Sequence, residues 1–302
     1  MTVPMIFMGS KGAGLRLCQF LCDILPHGSI SAIFCPDDRG DSRSVLESFQ
    51  ALGISKGIPV ETVLDLATTK ALLLKYQPQY AFVHGWYQII PLSGACQFFG
   101  FHYSPLPRYR GNAPVVWQII NGERSLGVTF FRFSDGMDEG DIVAQSIVEL
   151  SHDDTIADAL VRADQAMLEI ARTSIPQLLE GSLKLILQDH SQASYCGMRI
   201  PEDGLIDWKQ SAEQIHNFIR AQTKPYPGAY SRMSDGKVIR FWKSTIEKRQ
   251  FYGVPGSIVE IKEDWVVIAC GLGAIRVFSI NLDDEGDKKP CVIFRSFRTR
   301  LV

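Results

Sequence analysis

Short, continuous apolar runs in the first third of the chain constrain its fold more than any other feature. Runs of this length, without a polar alternation, are typical of parallel strands that are buried on both faces of a sheet. Helix-like segments follow them, at residues 14–24, 44–52, 68–76 and 113–121. This order predicts an α/β domain with a doubly wound, mostly parallel, Rossmann-like sheet. The runs are PMIFMG (residues 4–9), SISAIFCP (29–36), QYAFVHG (79–85) and FFGFHYS (98–104).

The last third of the chain has a different pattern, with strand-like segments that follow one another closely between Gly and Asp turns. They are AYSRM, VIRFWKSTI, SIVEIK, WVVIACG and AIRVFSI. Such spacing predicts a small OB-like β-barrel. Residues 184–203 lack periodicity. We therefore predict an N-terminal catalytic domain over residues 1–183, a linker over 184–203 and a C-terminal OB-like β-barrel domain over 204–302.

Composition and charge exclude several classes of protein. The net charge of −2 gives no overall basic field that would hold nucleic acid or an anionic membrane. The start, MTVPMIFMGS, has no basic segment before its apolar run, and MIFM is far too short to span a bilayer. Seven cysteines without a CxxC motif argue for reduced thiols and against a cysteine metal site. We expect a cytoplasmic protein without a metal.

Two histidines, His84 and His102, each stand at the carboxyl end of a predicted buried strand. Ligands bind at that edge of open α/β sheets. A proline-stiffened loop, SPLPRYRG (104–111), follows His102, and the loop FSDGMDEGD (133–141) is expected to emerge at the same edge. Its Asp138 would then form a carboxylate–imidazole pair suited to proton transfer near neutral pH. These residues predict acyl transfer or hydrolysis, without a covalent route because no Ser or Cys elbow accompanies them.

Two stretches resemble the folate-dependent formyltransferases, a family that includes methionyl-tRNA formyltransferase, UDP-aminoarabinose formyltransferase and the sugar N-formyltransferases. HYSPLPRYRGNAPVVWQIINGE (102–123) is similar to the family's His-x-Ser-Leu-Leu-Pro-x-Tyr/Trp-Arg-Gly-x-x-Pro segment. GVTFFRFSDGMDEGDIV (127–143) is similar to its Gly-Val-Thr…Asp-x-Gly-x-Asp-x-Gly-Asp loop. PEDGLIDW and IHNFIRAQTKPYPGAY resemble the start of the second domain in the longer members. The resemblance covers nearly the whole chain.

The resemblance implies a reaction and a set of site residues. The co-substrate would be N10-formyltetrahydrofolate, and a neutral amine of the acceptor would attack its formyl carbon. His102 matches the catalytic histidine, and Asp138 matches the aspartate that tunes it. The implied folate-contacting residues are Trp86, Tyr87, Gln88, Asn112, Ser134, Asp135, Gly136, Met137 and Asp138. The expected substrate-binding residues are Tyr103, Ser104, Arg108, Tyr109 and Arg110.

The family's Asn-x-His motif reads Gly100-Phe101-His102 here, so one donor for the oxyanion is absent. Such a donor is worth ~10²–10³-fold in rate. We expect a void at Gly100. A hydroxyl of Tyr103 or Ser104, a backbone N–H, a water or the substrate would then replace the amide. A slow enzyme, or a catalytically weakened homologue that only binds folate or nucleotide, is the alternative.

The acceptor that the sequence favours is a nucleotide-linked amino sugar, with Arg108 or Arg110 on its phosphate. Residues 201–302 hold 16 Lys and Arg against 13 Asp and Glu, a weak excess for a tRNA-binding domain. Methionyl-tRNA and an amino-acid-type amine stay as alternatives. Nucleic acid and membrane are not expected partners, and a homodimer is left open.

Overall fold

The computed structural model describes residues 4–41, 43–92, 94–283 and 285–302. The chain divides into two compact units that interleave along the sequence. The first unit takes the chain up to Arg110, with Gly127–Val148 and Ala163–Tyr195. The second takes Gly111–Leu126, Glu149–Arg162 and Cys196–Val302. The domain boundaries predicted at residues 183 and 204 stay predictions, because compact grouping does not locate where an independent domain begins.

Helices and strands alternate through the first half, and strands dominate the last third. No helix among the described residues is both long and apolar enough to cross a bilayer. The strands are β1 Met5–Gly9, β2 Ile30–Pro36, β3 Val60–Val63, β4 Tyr80–His84, β5 Gln97–His102, β6 Arg110–Gly111, β7 Ser125–Arg132, β8 Ile142–Glu149, β9 Tyr195–Cys196, β10 Ala229–Arg232, β11 Val238–Glu247, β12 Ile258–Ile261, β13 Val266–Ala269, β14 Ala274–Leu282 and β15 Asp287–Lys288. The α-helices are α1 Lys11–Ile24, α2 Leu46–Lys56, α3 Leu66–Tyr76, α4 Pro114–Ile120, α5 Ile156–Leu179, α6 Ala212–Gln222 and α7 Pro290–Ile293.

The first unit is built on a seven-stranded sheet with the order β3-β2-β1-β4-β5-β7-β8. The pairings among β1 to β5 are parallel, and β5 pairs with β7 antiparallel. Alternate residues of β1 face opposite helices: Phe7 stacks on Phe49 of α2, whereas Ile6 and Met8 join a cluster that includes Leu73 of α3. Helices therefore cover both faces, which explains the continuous apolar runs. The predicted doubly wound, mostly parallel sheet is confirmed.

The short strand β3 was not predicted from the sequence. Its residues, VETV, include two polar side chains, and only the last of the four is buried. It occupies the edge of the sheet, where one side of the strand needs no partner. An edge strand of this kind has no continuous apolar run to reveal it.

The second unit is built on an antiparallel sheet with the order β10-β11-β14-β13-β12, to which β15 adds at β14. Helix α6 supplies Ile215 and Ile219 to the core beneath it, which includes Phe241 and Ile275. The C-terminal residues join the two edges of the sheet, since Leu301 bridges to Met233 after β10 and Arg300 to Ser257 before β12. A separate C-terminal domain built on an antiparallel sheet is confirmed, and the five strands predicted for the OB-like barrel are all present.

The loop at 133–141 does not emerge at the carboxyl edge of β5, contrary to the expectation from the sequence. Strand β7 runs antiparallel to β5, so this loop begins near the opposite edge, where the N–H of Phe133 donates to the carbonyl of Phe98. The loop then turns back along β5, and its Asp138 lies beside His102 at the carboxyl end. The two groups meet as predicted, but by a different route.

The loop SPLPRYRG rests directly on β7 in the first unit. A Cβ atom at Gly127 would lie 2.1 Å from the nitrogen of Pro105, a separation that real side chains do not adopt. Nearby, the hydroxyl of Thr129 donates to the carbonyl of Ser104 at 2.6 Å. Gly127 is thus required for the close approach of this loop to the sheet.

Replacing Gly127 by Ala should lower the free energy of unfolding by about 1–3 kcal/mol, because the new methyl group overlaps the loop. Thermal or urea unfolding followed by circular dichroism measures the change. Gly40→Ala is the matched control, since no described residue comes within 4 Å of a methyl group there. Equal loss of stability in both variants would contradict the close contact.

Candidate active site

His102 is the last residue of β5, and both nitrogens of its ring lie close to oxygen atoms of neighbouring residues. Nε2 lies 2.7 Å from the carbonyl oxygen of Tyr109, and Nδ1 lies 3.6 Å from Oδ2 of Asp138. A carbonyl oxygen can only accept, so Nε2 carries a proton and donates it. Nδ1 is then the nitrogen that can take up a proton, beside a carboxylate. The side chain is 11% exposed, which leaves it reachable from solvent.

The two residues that contact the ring of His102, Tyr109 and Asp138, have left-handed backbone conformations, with φ of +60° and +53°. Side chains with a Cβ avoid this region at a cost of ~1–2 kcal/mol per residue. Hydrogen bonds from distant segments hold both: Ser194 Oγ accepts from the N–H of Tyr109 at 2.9 Å, and Gln188 donates to the carbonyl of Asp138 at 2.8 Å. Strained residues of this kind cluster at functional sites.

A buried arginine links the segments that surround His102. The side chain of Arg110 is fully buried, and its guanidinium donates to Oε1 of Gln188 at 2.7 Å and to Oε1 of Glu139 at 3.1 Å. It also contacts the hydroxyl of Tyr195 at 3.1 Å and Nδ1 of His190 at 3.3 Å. The predicted role of Arg110 on a substrate phosphate stays untested, and these internal bonds argue against it.

Gln188 connects this arginine to the predicted folate loop. While its Oε1 accepts from Arg110, its Nε2 donates to the carbonyls of Asp138 and Gly140, at 2.8 and 2.6 Å. Gln188 lies in the stretch predicted as a linker, yet it is buried and belongs to the first unit. No motif in the sequence distinguishes it from an exposed linker glutamine, so sequence reasoning missed it.

The rest of the predicted folate loop faces solvent. Ser134, Asp135 and Met137 are exposed, and Gly136 lies against the side chain of Glu139. Asp138 is the member of the loop that turns inward, with its side chain 22% exposed. The loop thus combines one anchored carboxylate with an accessible surface.

The expected void at Gly100 does not exist. A Cβ atom at this position would lie 2.6 Å from the ring of Phe133 and 2.8 Å from the carbonyl oxygen of Val83. The Phe133 ring, stacked on Phe131 at 5.0 Å, fills the space that an asparagine side chain would need. The position of the family's asparagine therefore carries no donor and no room for one.

The two hydroxyls proposed as replacement donors are bound elsewhere. Tyr103 is buried and donates to Oδ1 of Asp164 at 2.5 Å, while burial and this carboxylate raise the pKa of its phenol well above the usual range. The hydroxyl of Ser104 donates to the carbonyl of Arg108 at 2.8 Å. In contrast, the side chain of Arg108 itself is exposed, with its guanidinium 5.2 Å from the ring centre of Tyr109. Of the predicted substrate-binding residues, Arg108 is the accessible charge.

The segment after β4 offers polar atoms that lack partners. Nε1 of Trp86 and Oε1 of Gln88 are shielded from solvent, and neither finds a hydrogen-bond partner among the described residues. Tyr87 between them is exposed. An unmet buried donor and acceptor indicate a place where a polar ligand can bind.

His84 and Asn112 are placed differently from His102. Burial lowers the pKa of His84 to about 4, so its ring, 5.2 Å from that of Tyr103, is neutral at physiological pH. Asn112 lies in the second unit with an exposed side chain, and its N–H donates to the carbonyl of Cys196 at 3.1 Å. Neither residue adds a charge to the His102 site.

Two family domains match this chain. Residues 61–171 match the domain described as formyl transferase, and residues 199–295 match the formyl transferase C-terminal domain. Together the two matches cover more than half of the chain, which therefore belongs to the formyl transferase family.

A curated relative and two solved structures are similar to this chain. The bifunctional polymyxin resistance protein ArnA of Wigglesworthia glossinidia brevipalpis is 33% identical over 259 residues, which cover 83% of this chain and 38% of that protein. The chain thus spans well under half the length of this relative.

The solved structures support the fold at low identity. The N-formyltransferase from Helicobacter canadensis, in complex with folinic acid and dTDP-3-aminofucose, has a TM-score of 0.70 at 21% identity, covering 91% of this chain and 99% of that one. WlaRD, a sugar 3N-formyl transferase crystallised with dTDP and 5-N-formyl-THF, has a TM-score of 0.69 at 20% identity, covering 92% and 98%.

Placing asparagine at position 100 should destabilise the protein by about 1–3 kcal/mol through overpacking and should not raise the rate of formylation. Phe133→Ala in the same chain removes the overlapping ring and should recover part of the stability. Thermal unfolding of the wild type, Gly100→Asn, Phe133→Ala and the double variant gives the coupling between the two positions. Additive effects, or a faster Gly100→Asn enzyme, would contradict the observed packing.

Gln188→Met should cost about 1–3 kcal/mol of stability, because it removes one acceptor of the buried Arg110 and leaves two loop carbonyls without their donor. If Gln188 positions Asp138, kcat should also fall more than KM rises. Gln192→Met is the matched control, since Gln192 is exposed and makes one long side-chain hydrogen bond of 3.4 Å. If the Gln188 variant is as stable and as active as the Gln192 variant, Gln188 does not position Asp138.

Proposed function

We propose that this chain transfers a formyl group from N10-formyltetrahydrofolate to the primary amine of a nucleotide-linked amino sugar. The observation that carries the proposal is the placement of His102, in a formyl transferase chain, between a carbonyl that fixes its tautomer and a carboxylate that faces Nδ1. His102 and Asp138 are the proposed catalytic pair.

The chemistry asked of His102 is the movement of one proton. When the acceptor amine attacks, its nitrogen forms a bond to the formyl carbon and must lose a proton. Nδ1 of His102 is the free basic atom at this site, and the carboxylate of Asp138 stabilises the imidazolium that forms. The same proton can then return to the nitrogen that leaves the formyl carbon, so that no net proton is gained or lost.

The folate would bind along the segment after β4 and the 134–138 loop. The unmet donor of Trp86 and the unmet acceptor of Gln88 fit a pteridine, which carries both donors and acceptors on its edge. Formyltetrahydrofolate supplies the activated one-carbon unit. The residues of this chain bind and orient it, with Asp138 at the boundary between the folate loop and His102.

Stabilisation of the oxyanion has to come from a group other than a side chain at position 100. Phe133 closes that position, and the hydroxyls of Tyr103 and Ser104 are held by internal acceptors. Of the oxyanion donors expected from the sequence, three remain: a backbone N–H, a water, or a donor group of the substrate. A slow enzyme is the competing proposal, because one donor is worth ~10²–10³-fold in rate.

Three observations support a nucleotide sugar as the acceptor. Arg108 offers an exposed guanidinium on the loop that follows His102, suited to a phosphate. The two solved structures named above contain dTDP or a dTDP-linked amino sugar. Residues 201–302 also lack the strong basic excess that tRNA binding favours. The cytoplasmic location and the homodimer stay predictions.

A panel of acceptors tests the proposal. The purified protein is incubated with N10-formyltetrahydrofolate and either nucleotide-linked amino sugars, methionylated initiator tRNA or amino-acid-type amines, and products are read by mass. We expect a gain of one formyl group on an amino sugar, with His102→Asn lowering kcat by about 10²–10⁴-fold.

Calorimetry with a stable formyltetrahydrofolate analogue is the control for the His102→Asn variant, which should bind folate within a few-fold of wild type because the proton transfer acts in the transition state. Formylation of the tRNA without formylation of any amino sugar would overturn the proposed acceptor. Folate binding without any turnover would identify a homologue that only binds.

A further inference from the structure

A cluster of histidine and aspartate side chains lies in the second unit, outside the formyl-transfer chemistry described above. His152 and Asp153 precede α5, and His216 belongs to α6. One ligand-type atom of each lies within 4.8 Å of the others. We propose that His152, Asp153 and His216 form a binding site for a divalent transition-metal ion of the zinc type.

The distances within this cluster match the edges of a metal coordination sphere. Oδ1 of Asp153 lies 3.5 Å from Nδ1 of His152 and 3.4 Å from Nε2 of His216. Zinc binds imidazole nitrogen and carboxylate oxygen at about 2.0–2.2 Å, so two ligand atoms of a tetrahedral site are roughly 3.3–3.5 Å apart. Two of the three edges are therefore already formed around the carboxylate.

The third edge closes by rotation of one exposed side chain. The rings of His152 and His216 stack in parallel, with centres 5.1 Å apart, so both nitrogens cannot yet point at one ion. His216 is 2% exposed and fixed by packing, whereas the side chains of His152 and Asp153 are 51% and 68% exposed. One rigid ligand and two adjustable ones can close on an ion without moving the backbone.

The surroundings of the cluster orient its ligands. Nε2 of His216 lies 3.3 Å from the carbonyl oxygen of His152, and Ser244 Oγ lies 3.0 Å from Nδ1 of the same ring. When an ion replaces this carbonyl as the partner of Nε2, Ser244 can accept the proton of Nδ1 and orient the ring. The loop that carries His152 is held at Asp154, whose carbonyl accepts from Arg220 at 2.8 Å and whose carboxylate accepts from the N–H of Ser151 at 2.7 Å.

The donor set decides the class of ion. Two imidazoles and one carboxylate suit Zn²⁺ and its neighbours in the transition series, whereas Mg²⁺ and Ca²⁺ prefer oxygen ligands alone. Three protein ligands leave one position for water. A bound ion would connect the loop before α5 to α6, which makes the expected consequence a gain in stability.

Calorimetric titration of the tag-free protein with Zn²⁺ alone tests this proposal. We expect one ion per chain, a higher melting temperature that a chelator reverses, and a visible absorption band when Co²⁺ replaces Zn²⁺. His152→Asn and Asp153→Asn, both at exposed positions, should abolish the saturable binding. Ser244→Ala should weaken it by about 10–100-fold, the effect of an outer-shell partner.

His27→Asn is the matched control, because His27 is an exposed histidine in the first unit, and it should leave Zn²⁺ binding unchanged. The proposal is overturned if wild type shows no stoichiometric binding, or if His152→Asn and Asp153→Asn bind as tightly as the His27 variant. Neither readout depends on formyl transfer, so a failure here is distinguishable from a failure of the proposed function.

Discussion

The geometry of the candidate active site depends on one buried guanidinium. Arg110 is fully buried and cannot remain unpaired, because a buried charge without acceptors costs several kcal/mol. Its acceptors come from two other segments, Glu139 in the loop after β7 and Gln188 after α5. Satisfying this charge brings three distant parts of the sequence together within the first unit. Gln188 then holds the carbonyl of Asp138, which places the carboxylate beside His102.

Part of this arrangement could be predicted from the sequence. The continuous apolar runs identify the parallel strands because both faces of β1 are covered, by Phe49 on one side and Leu73 on the other. The approach of Asp138 to His102 was also predicted, although through a wrong route, since periodicity does not tell a parallel strand from an antiparallel one such as β7. The edge strand β3 could not be predicted, because its residues are mostly half-buried and form no continuous apolar run.

Other parts of the site could not be predicted, for a common physical reason. Arg110 and Arg108 are two residues apart in one loop, yet one is buried and the other exposed. Their difference depends on partners far along the chain, of which Gln188 belongs to no motif. His84 and His102 end neighbouring strands, yet the carboxylate of Asp138 lies beside only the second of these two. The local sequence pattern locates the edge of the sheet, and long-range contacts decide which side chain there gains a neighbouring carboxylate.

The glycine at position 100 and the course of the 133–141 loop are physically linked. This loop starts at the far end of β5 and has to pass along that strand to reach His102. Phe133, near its start, lies directly against Gly100, where a Cβ atom would collide with the ring. An asparagine at this position would supply an amide donor worth ~10²–10³-fold in rate, but it would displace the ring from β5. Loss of the donor and the packing of the loop are thus two consequences of one glycine. In the proposed reaction the oxyanion donor would then have to come from the backbone, from water or from the acceptor itself, and the last of these would make turnover depend on the substrate that is bound.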